Sequence, residues 1–344
     1  MLNFVRTLLT GRADTAQPPA LRHDVAAPAE LASGGASAFP LAGHLHRQHG
    51  YPIMDWAAAG SWVDALAPEA RAPAWIDAER AWLLHLRDAL GAGFRLAESD
   101  RCLLLSALED HVANATLAFM ERTLKRVVLT LDGIAEATPW GKEILVVFDD
   151  EDSYYRYVSH AYAEAGEFAA SGGMYINGGC GHFVTVRRDL GAIEPVIAHE
   201  MTHACLAHLP IPLWLNEGLA VNTEQRLTGV QGSVYTPQEL RSMHLAFWGE
   251  QEIQEFWSGQ SFQRVDDGNL LSYDLARILV AWLAKDWAPF RDFVLAAHMA
   301  DGGAQAAQAH LGVDLGELAS ALLGQAEAAG WRPAAHAVSA SLPA

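Results

Sequence analysis

Two prolines, Pro210 and Pro212, end an apolar helical stretch and turn the chain back on itself. Proline lacks the backbone N–H and clashes with the preceding turn, so the helix from Glu194 to about His208 must stop there. A second apolar helix begins near Leu213, and its first turn folds back towards His203. That reversal gives meaning to four side chains. His199 and His203, in Ile197-Ala198-His199-Glu200-Met201-Thr202-His203, are one helical turn apart and project from one face, where two imidazoles can grip one ion. Catalytic zinc usually takes three protein ligands and keeps a fourth position for water, so a further His or carboxylate is needed nearby. Glu217, in Trp214-Leu215-Asn216-Glu217-Gly218-Leu219-Ala220, is expected to complete a His2Glu zinc site. Glu200 then stays off the metal, free to take a proton from zinc-bound water and later give it to a leaving group.

With 15 histidines in 344 residues, an H-E-x-x-H run arises by chance in roughly a few per cent of such chains, so the motif alone is only suggestive. Its setting in mid-helix, with the proline-marked reversal and Asn216-Glu217-Gly218 on the next helix, supplies the specificity. The competing structural reading makes His199 and His203 packed histidines and Glu217 a first-turn carboxylate favoured by the helix dipole.

The pairing of H-E-x-x-H with W-x-x-E-G-x-A resembles the gluzincin metallopeptidases, the peptidase MA-like group. That resemblance implies His199, His203 and Glu217 as zinc ligands, Glu200 as base, and a peptide or protein as substrate. Upstream, Glu143 to Phe148 reads as a strand, Ser153 to about Phe168 as a helix, and Gly173 to Ile176 with Phe183 to Val186 as paired strands. This order is similar to the gluzincin amino-terminal half, whose twisted sheet precedes the active-site helix. In that family an edge strand beside the zinc aligns an extended peptide by β-augmentation, and Gly179 to Val186 is the segment expected to do so here. One position departs from the pattern: thermolysin-like members carry an Asp four residues after the glutamate ligand, and this chain has Val221. Glu194, Asn222 and Glu224 are the candidates for orienting a zinc imidazole.

A tetrahedral oxyanion needs stabilisation beyond the metal. Tyr273 is the candidate, on a helix expected from Leu270 to Lys285. There Leu271, Leu275, Ile278, Leu279, Trp282 and Leu283 form the buried stripe, while Tyr273 and Arg277 share another face. Gluzincins often place a tyrosine on a helix downstream of the glutamate. The alternative is a packing tyrosine, with Tyr175 and His182 as further candidates for the chemistry.

Half of the chain is hydrophobic and the net charge is −18, which argues against nucleic-acid partners and against attachment to an anionic membrane. Cys102, Cys180 and Cys205 are odd in number and far apart, no disulfide framework; a cytoplasmic location is expected. A Cys180/His182 pair of soft ligands is weighed against a structural role and set aside. Met1 to Gly11 is too short and too interrupted for a membrane span.

The expected fold is α+β and mostly helical, with a small twisted mixed sheet ahead of the active-site helix. Residues 1–45 read as a flexible leader, 46–138 as a helical cap or partner surface, 139–330 as the catalytic domain, and 331–344 as a frayed tail. Within the cap, a helix from about Ala74 to Leu90 stops at Gly91, and Ser99 is expected to cap another that runs to Leu131. Two readings beside peptide hydrolysis stay open: a non-catalytic zinc-containing binding or regulatory protein, and a zinc hydrolase of a non-peptide amide. An intact Glu200 weighs against a purely structural site, which has no use for a base.

Overall fold

The computed structural model describes residues 21–33, 37–161, 173–188, 190–229, 235–325 and 330–334. In chain order the elements are β1 (Leu21–Arg22), β2 (Glu30–Leu31), β3 (Phe39–Pro40), β4 (Leu45–Gln48), β5 (Tyr51–Met54), α1 (Trp56–Asp64), α2 (Pro68–Leu90), β6 (Arg95–Glu98) and β7 (Cys102–Ser106). Next come α3 (Asp110–Thr130), β8 (Glu143–Phe148), α4 (Glu151–Val158), β9 (Gly173–Asn177), β10 (Gly181–Val186), α5 (Leu190–Leu206) and α6 (Leu213–Thr228). The chain closes with α7 (Pro237–Phe247), α8 (Glu250–Ser258), α9 (Asp267–Leu283), α10 (Trp287–Ala296), α11 (Ala304–Leu311) and α12 (Leu315–Leu323). This is an α+β, mostly helical architecture around one mixed six-stranded sheet of order β1-β6-β7-β8-β10-β9.

Strands β7, β8 and β10 are mutually parallel and form the middle of the sheet. Parallel strands covered on both faces read as unbroken apolar runs, and every residue of β7 and β8 is buried. Their side chains alternate between two cores. Cys102, Leu104, Leu145, Val147 and Phe183 face a large core shared with α3, α5, α6 and the later helices. Leu103, Leu105, Ile144, Val146, Phe148 and Val184 face a second core with α1, α2, α4 and the short amino-terminal strands.

Several sequence expectations change here. The helix expected from Ser99 starts instead at Asp110, and Ser99 closes the β6–β7 turn, its N–H donating to the Cys102 carbonyl at 2.9 Å. A continuous apolar run such as Cys102 to Ser106 has no period that separates strand from helix, and pairing with β6 and β8 decides it. Two strands of the sheet, β6 and β7, therefore come from the 46–138 region expected to be helical. The leader is also part of the fold from Leu21 onward: β1 pairs with β6, and His23 Nε2 donates to Glu98 Oε2 at 2.6 Å. Residues 1–20 and 34–36 of that leader lie outside the described residues.

Gly179 to Val186 is not the sheet edge. β10 lies between β8 and β9, so among the described residues the edge strand is β9, Gly173–Asn177. The helix expected from Ser153 begins at Glu151, where the Asp150 carboxylate caps the Ser153 N–H at 2.7 Å; residues 162–168 of its expected span lie outside the described residues. In α9 the buried face is Leu271, Ser272, Leu275, Ala276, Leu279, Val280 and Leu283, whereas Ile278 is half-buried and Trp282 is exposed under the Lys285 ammonium. That face meets α6 at Ala276 and Val280, which stand against Gly218. Past α12, Trp331 is buried and its carbonyl accepts from Trp257 Nε1 at 2.8 Å, so the ordered fold extends beyond Leu323; residues 335–344 lie outside the described residues. No helix among the described residues is long and apolar enough to cross a membrane.

Candidate metal centre

The reversal between α5 and α6 is fixed by main-chain bonds. Pro212 O accepts from Leu215 N at 3.0 Å and Asn216 N at 3.1 Å, and Pro210 O accepts from Met299 N at 3.0 Å. Trp214 is fully buried and donates its indole N–H to Gly302 O at 3.0 Å. With Trp214 and Leu215 committed to the core, Asn216 and Glu217 turn towards α5.

Glu217 Oε2 lies 3.2 Å from His199 Nε2 and 3.5 Å from His203 Nε2. The three donor atoms are all within 4.8 Å of one another, a group that could hold a metal ion. Each imidazole directs its other nitrogen outward: His199 Nδ1–H donates to Glu224 Oε2 at 3.1 Å and His203 Nδ1–H to Asn216 Oδ1 at 2.9 Å. That pattern assigns the tautomer from the network and leaves both Nε2 atoms facing Glu217. Glu217 Oε2 itself is buried without a hydrogen bond of acceptable geometry. Left in place by protein contacts alone, a buried acceptor costs free energy, and two convergent imidazole nitrogens beside it make a donor set suited to a borderline-soft divalent cation. The residues present fit such an ion.

In the metal-free protein the three groups stabilise one another's charged forms. Burial alone would raise the Glu217 carboxyl, but the facing His203 and His199 hold it far below the ordinary carboxylate range. Burial would likewise depress both imidazoles, and the carboxylates of Glu217 and Glu224 outweigh it for His199, which is held well above its usual value. His203 is also raised, against burial, chiefly by Glu217.

Glu200 is buried beside the triad but is not one of its three donors. Burial raises its pKa, opposed by the two histidines, and the Tyr175 main-chain N–H acts in the same lowering direction. β9 packs on α5, where an added Cβ at Gly173 would run into Val196 Cγ1, one turn before Glu200. Tyr273 also reaches the site: its ring centroid is 6.5 Å from that of His199 and 5.1 Å from Phe262, edge-on to the latter. Tyr175 and His182 are placed otherwise. The Tyr175 phenol crosses Gly181, and burial drives its pKa up. His182 belongs to the opposite side of the sheet, where it donates Nδ1–H to Cys180 O at 2.9 Å and accepts at Nε2 from Tyr157 OH at 2.8 Å. Both nitrogens are used, and burial lowers the imidazole to about 4. Cys180 is buried in the same core, so neither residue joins the metal group.

Of the three orienting candidates, Glu224 takes the role for His199. It lies seven residues past Glu217, on the same helix face as Val221 but one turn further along. Asn222 instead donates to Gly218 O at 2.7 Å and Arg277 O at 3.0 Å, joining α6 to α9. The partner of His203, Asn216, was missed as an orienting residue although it directly precedes Glu217; its position on the first inward-facing turn was the available signal. No protein-family model and no curated relative matches the chain.

Proposed function

We propose that this chain is a zinc-dependent hydrolase of peptide bonds, a gluzincin-like metallopeptidase. The observation that carries the proposal is the convergence of His199 Nε2, His203 Nε2 and the unbonded, buried Glu217 Oε2, with the Glu200 carboxylate beside this group and outside it. A bound zinc ion supplies a Lewis acid and lowers the pKa of water towards neutrality. His199, His203 and Glu217 hold it, and Glu224 and Asn216 fix the two rings. Glu200 accepts the proton of the attacking water and returns it to the leaving amine, a task that suits a carboxylate raised by burial. Tyr273 donates from its phenol to the developing oxyanion, and the edge strand β9 receives the extended peptide. Three buried free thiols are in line with a cytoplasmic location.

The test is hydrolysis of a mixed peptide library by wild type and Glu200→Gln, with zinc content measured on both. Wild type is expected to cleave, and Glu200→Gln to keep its zinc while losing about 10²- to 10⁴-fold in rate. Equal zinc in both proteins with cleavage by neither would overturn the peptidase reading in favour of a binding protein.

A further inference from the structure

We infer that Trp56 and Gly179 are positioning residues for the β9–β10 hairpin, so that the amino-terminal region sets the edge strand against Glu200. For its catalytic consequence the inference rests on the function proposed above; for its structural content it does not.

Gly179 occupies the turn between β9 and β10 at φ +97°, a conformation that side chains rarely adopt. A Cβ there would lie 2.6 Å from Trp56 Cβ and 3.3 Å from its Cγ. The hairpin tip therefore rests directly on the first residue of α1. Trp56 is backed in turn by Trp75, with ring centroids 5.4 Å apart, and by Trp82, edge-on at 5.5 Å. Trp82 is immobilised by its indole N–H, which donates to Pro52 O at 3.0 Å, and it meets the His182 ring edge-on at 5.0 Å. His182 closes the contact on β10 through Tyr157 and Cys180, as described.

From behind the sheet, then, the ribbon is gripped at Gly179 and His182 by a cluster of three tryptophans. On its other side the Tyr175 ring crosses Gly181, and Gly173 of β9 packs on Val196 of α5, the helix that carries Glu200. The tip contact at Gly179 is six positions from Gly173, where β9 meets α5, and an antiparallel ribbon is stiff over that distance because each strand fixes the register of the other. A displaced tip thus moves the strand that packs on α5 beside Glu200. The metal donors lie on α5 and α6, outside the hairpin, so loosening it leaves them in place.

Hydrogen exchange on the zinc-loaded full chain reads this directly, with Gly179→Ala, Trp56→Ala and Trp56→Phe beside wild type. Amides of residues 173–186 are expected to exchange about tenfold faster in the first two variants, with protection largely restored in Trp56→Phe. Zinc stoichiometry and exchange in α5 and α6 are expected to stay at wild-type values, while kcat/KM for peptides falls about tenfold in Gly179→Ala. Unchanged exchange at 173–186 in Gly179→Ala, or an equal rise throughout α3, α5 and α6, overturns the inference. Should Trp56→Ala not fold, Gly179→Ala and Trp56→Phe still decide it. A local exchange response in a protein that cleaves no peptide supports the positioning role and refutes the peptidase instead.

Discussion

The same substitution, glycine to alanine inside a helix, is expected to act with opposite sign at Gly218 and Gly60. In a helix interior the change ordinarily stabilises by about 0.5–1 kcal/mol, because alanine loses less backbone entropy. Gly60, in the middle of α1, has room for it: the nearest atom to an added Cβ is Trp75 Cζ3 at 3.9 Å. Gly218 has none. An added Cβ would stand 2.6 Å from the Ala276 carbonyl oxygen and 2.6 Å from Val280 Cγ2 on α9. Val280 could rotate, but the carbonyl belongs to a helix backbone, and Asn222 bridges Gly218 O to Arg277 O across the same seam. Overpacking of this kind costs about 1–3 kcal/mol, and with unyielding backbone as the neighbour the upper half of that range applies, so after subtracting the helix gain a net loss of about 1–2.5 kcal/mol remains for Gly218→Ala. Urea unfolding of the metal-free proteins should rank Gly60→Ala above wild type and wild type above Gly218→Ala. Because Glu217 is adjacent, Gly218→Ala should also weaken zinc binding, whereas Gly60→Ala should not. A Gly218→Ala protein as stable as wild type would refute the claim that bare backbone contact sets the α6–α9 spacing.

Other consequences are equally specific. Burial favours the neutral Glu98 carboxyl, but bonds from Arg80 and Lys142 prevail and hold it near a pKa of about 2. Its folded pKa is below the unfolded value, so its contribution, on the order of 3 kcal/mol, is present above about pH 4.5 and lost as pH falls towards 2. Glu98→Gln should flatten that part of the acid-unfolding curve, and an unaltered slope there would contradict the network. His182→Ala should destabilise by about 3 kcal/mol, by opening a cavity and leaving Tyr157 OH buried without its acceptor, yet leave zinc content untouched. Loss of zinc in that variant would place His182 in the metal site after all. Tyr273→Phe should keep zinc and lower peptide hydrolysis by about 10²- to 10³-fold; full activity would return Tyr273 to a packing role.

Local chemistry was legible in the sequence, and long-range pairing was not. Pro73 and Pro195 are tolerated inside α2 and α5, but Pro210 and Pro212 as a closely spaced pair bar any continuation past Leu206, so the reversal and α6 could be read, and with them the meeting of His199, His203 and Glu217. Gly91 likewise stops α2 where its positive φ is required. Strand order depends on partners distant in sequence. Nothing local in Gly181 to Val186 says that β8 would cover it on one side and leave β9 as the edge. Cys102 to Ser106 failed for a related reason, since a strand buried on both faces carries no alternation to recognise. The orienting bonds fell between these cases: Glu224 was readable by helix periodicity from Glu217, while Asn216 emerged only once the turn after Pro212 fixed its direction.

Zinc stoichiometry of the purified, reconstituted protein tests the central claim most directly, measured by atomic spectroscopy on wild type, Glu217→Ala and Glu200→Gln. One tightly held zinc per chain is expected in wild type and Glu200→Gln, with about 100-fold or greater loss of affinity in Glu217→Ala, because two imidazoles alone make an incomplete site. Wild type that takes up no zinc, or Glu217→Ala that binds it as tightly as wild type, would contradict the assignment of His199, His203 and Glu217 as one metal centre.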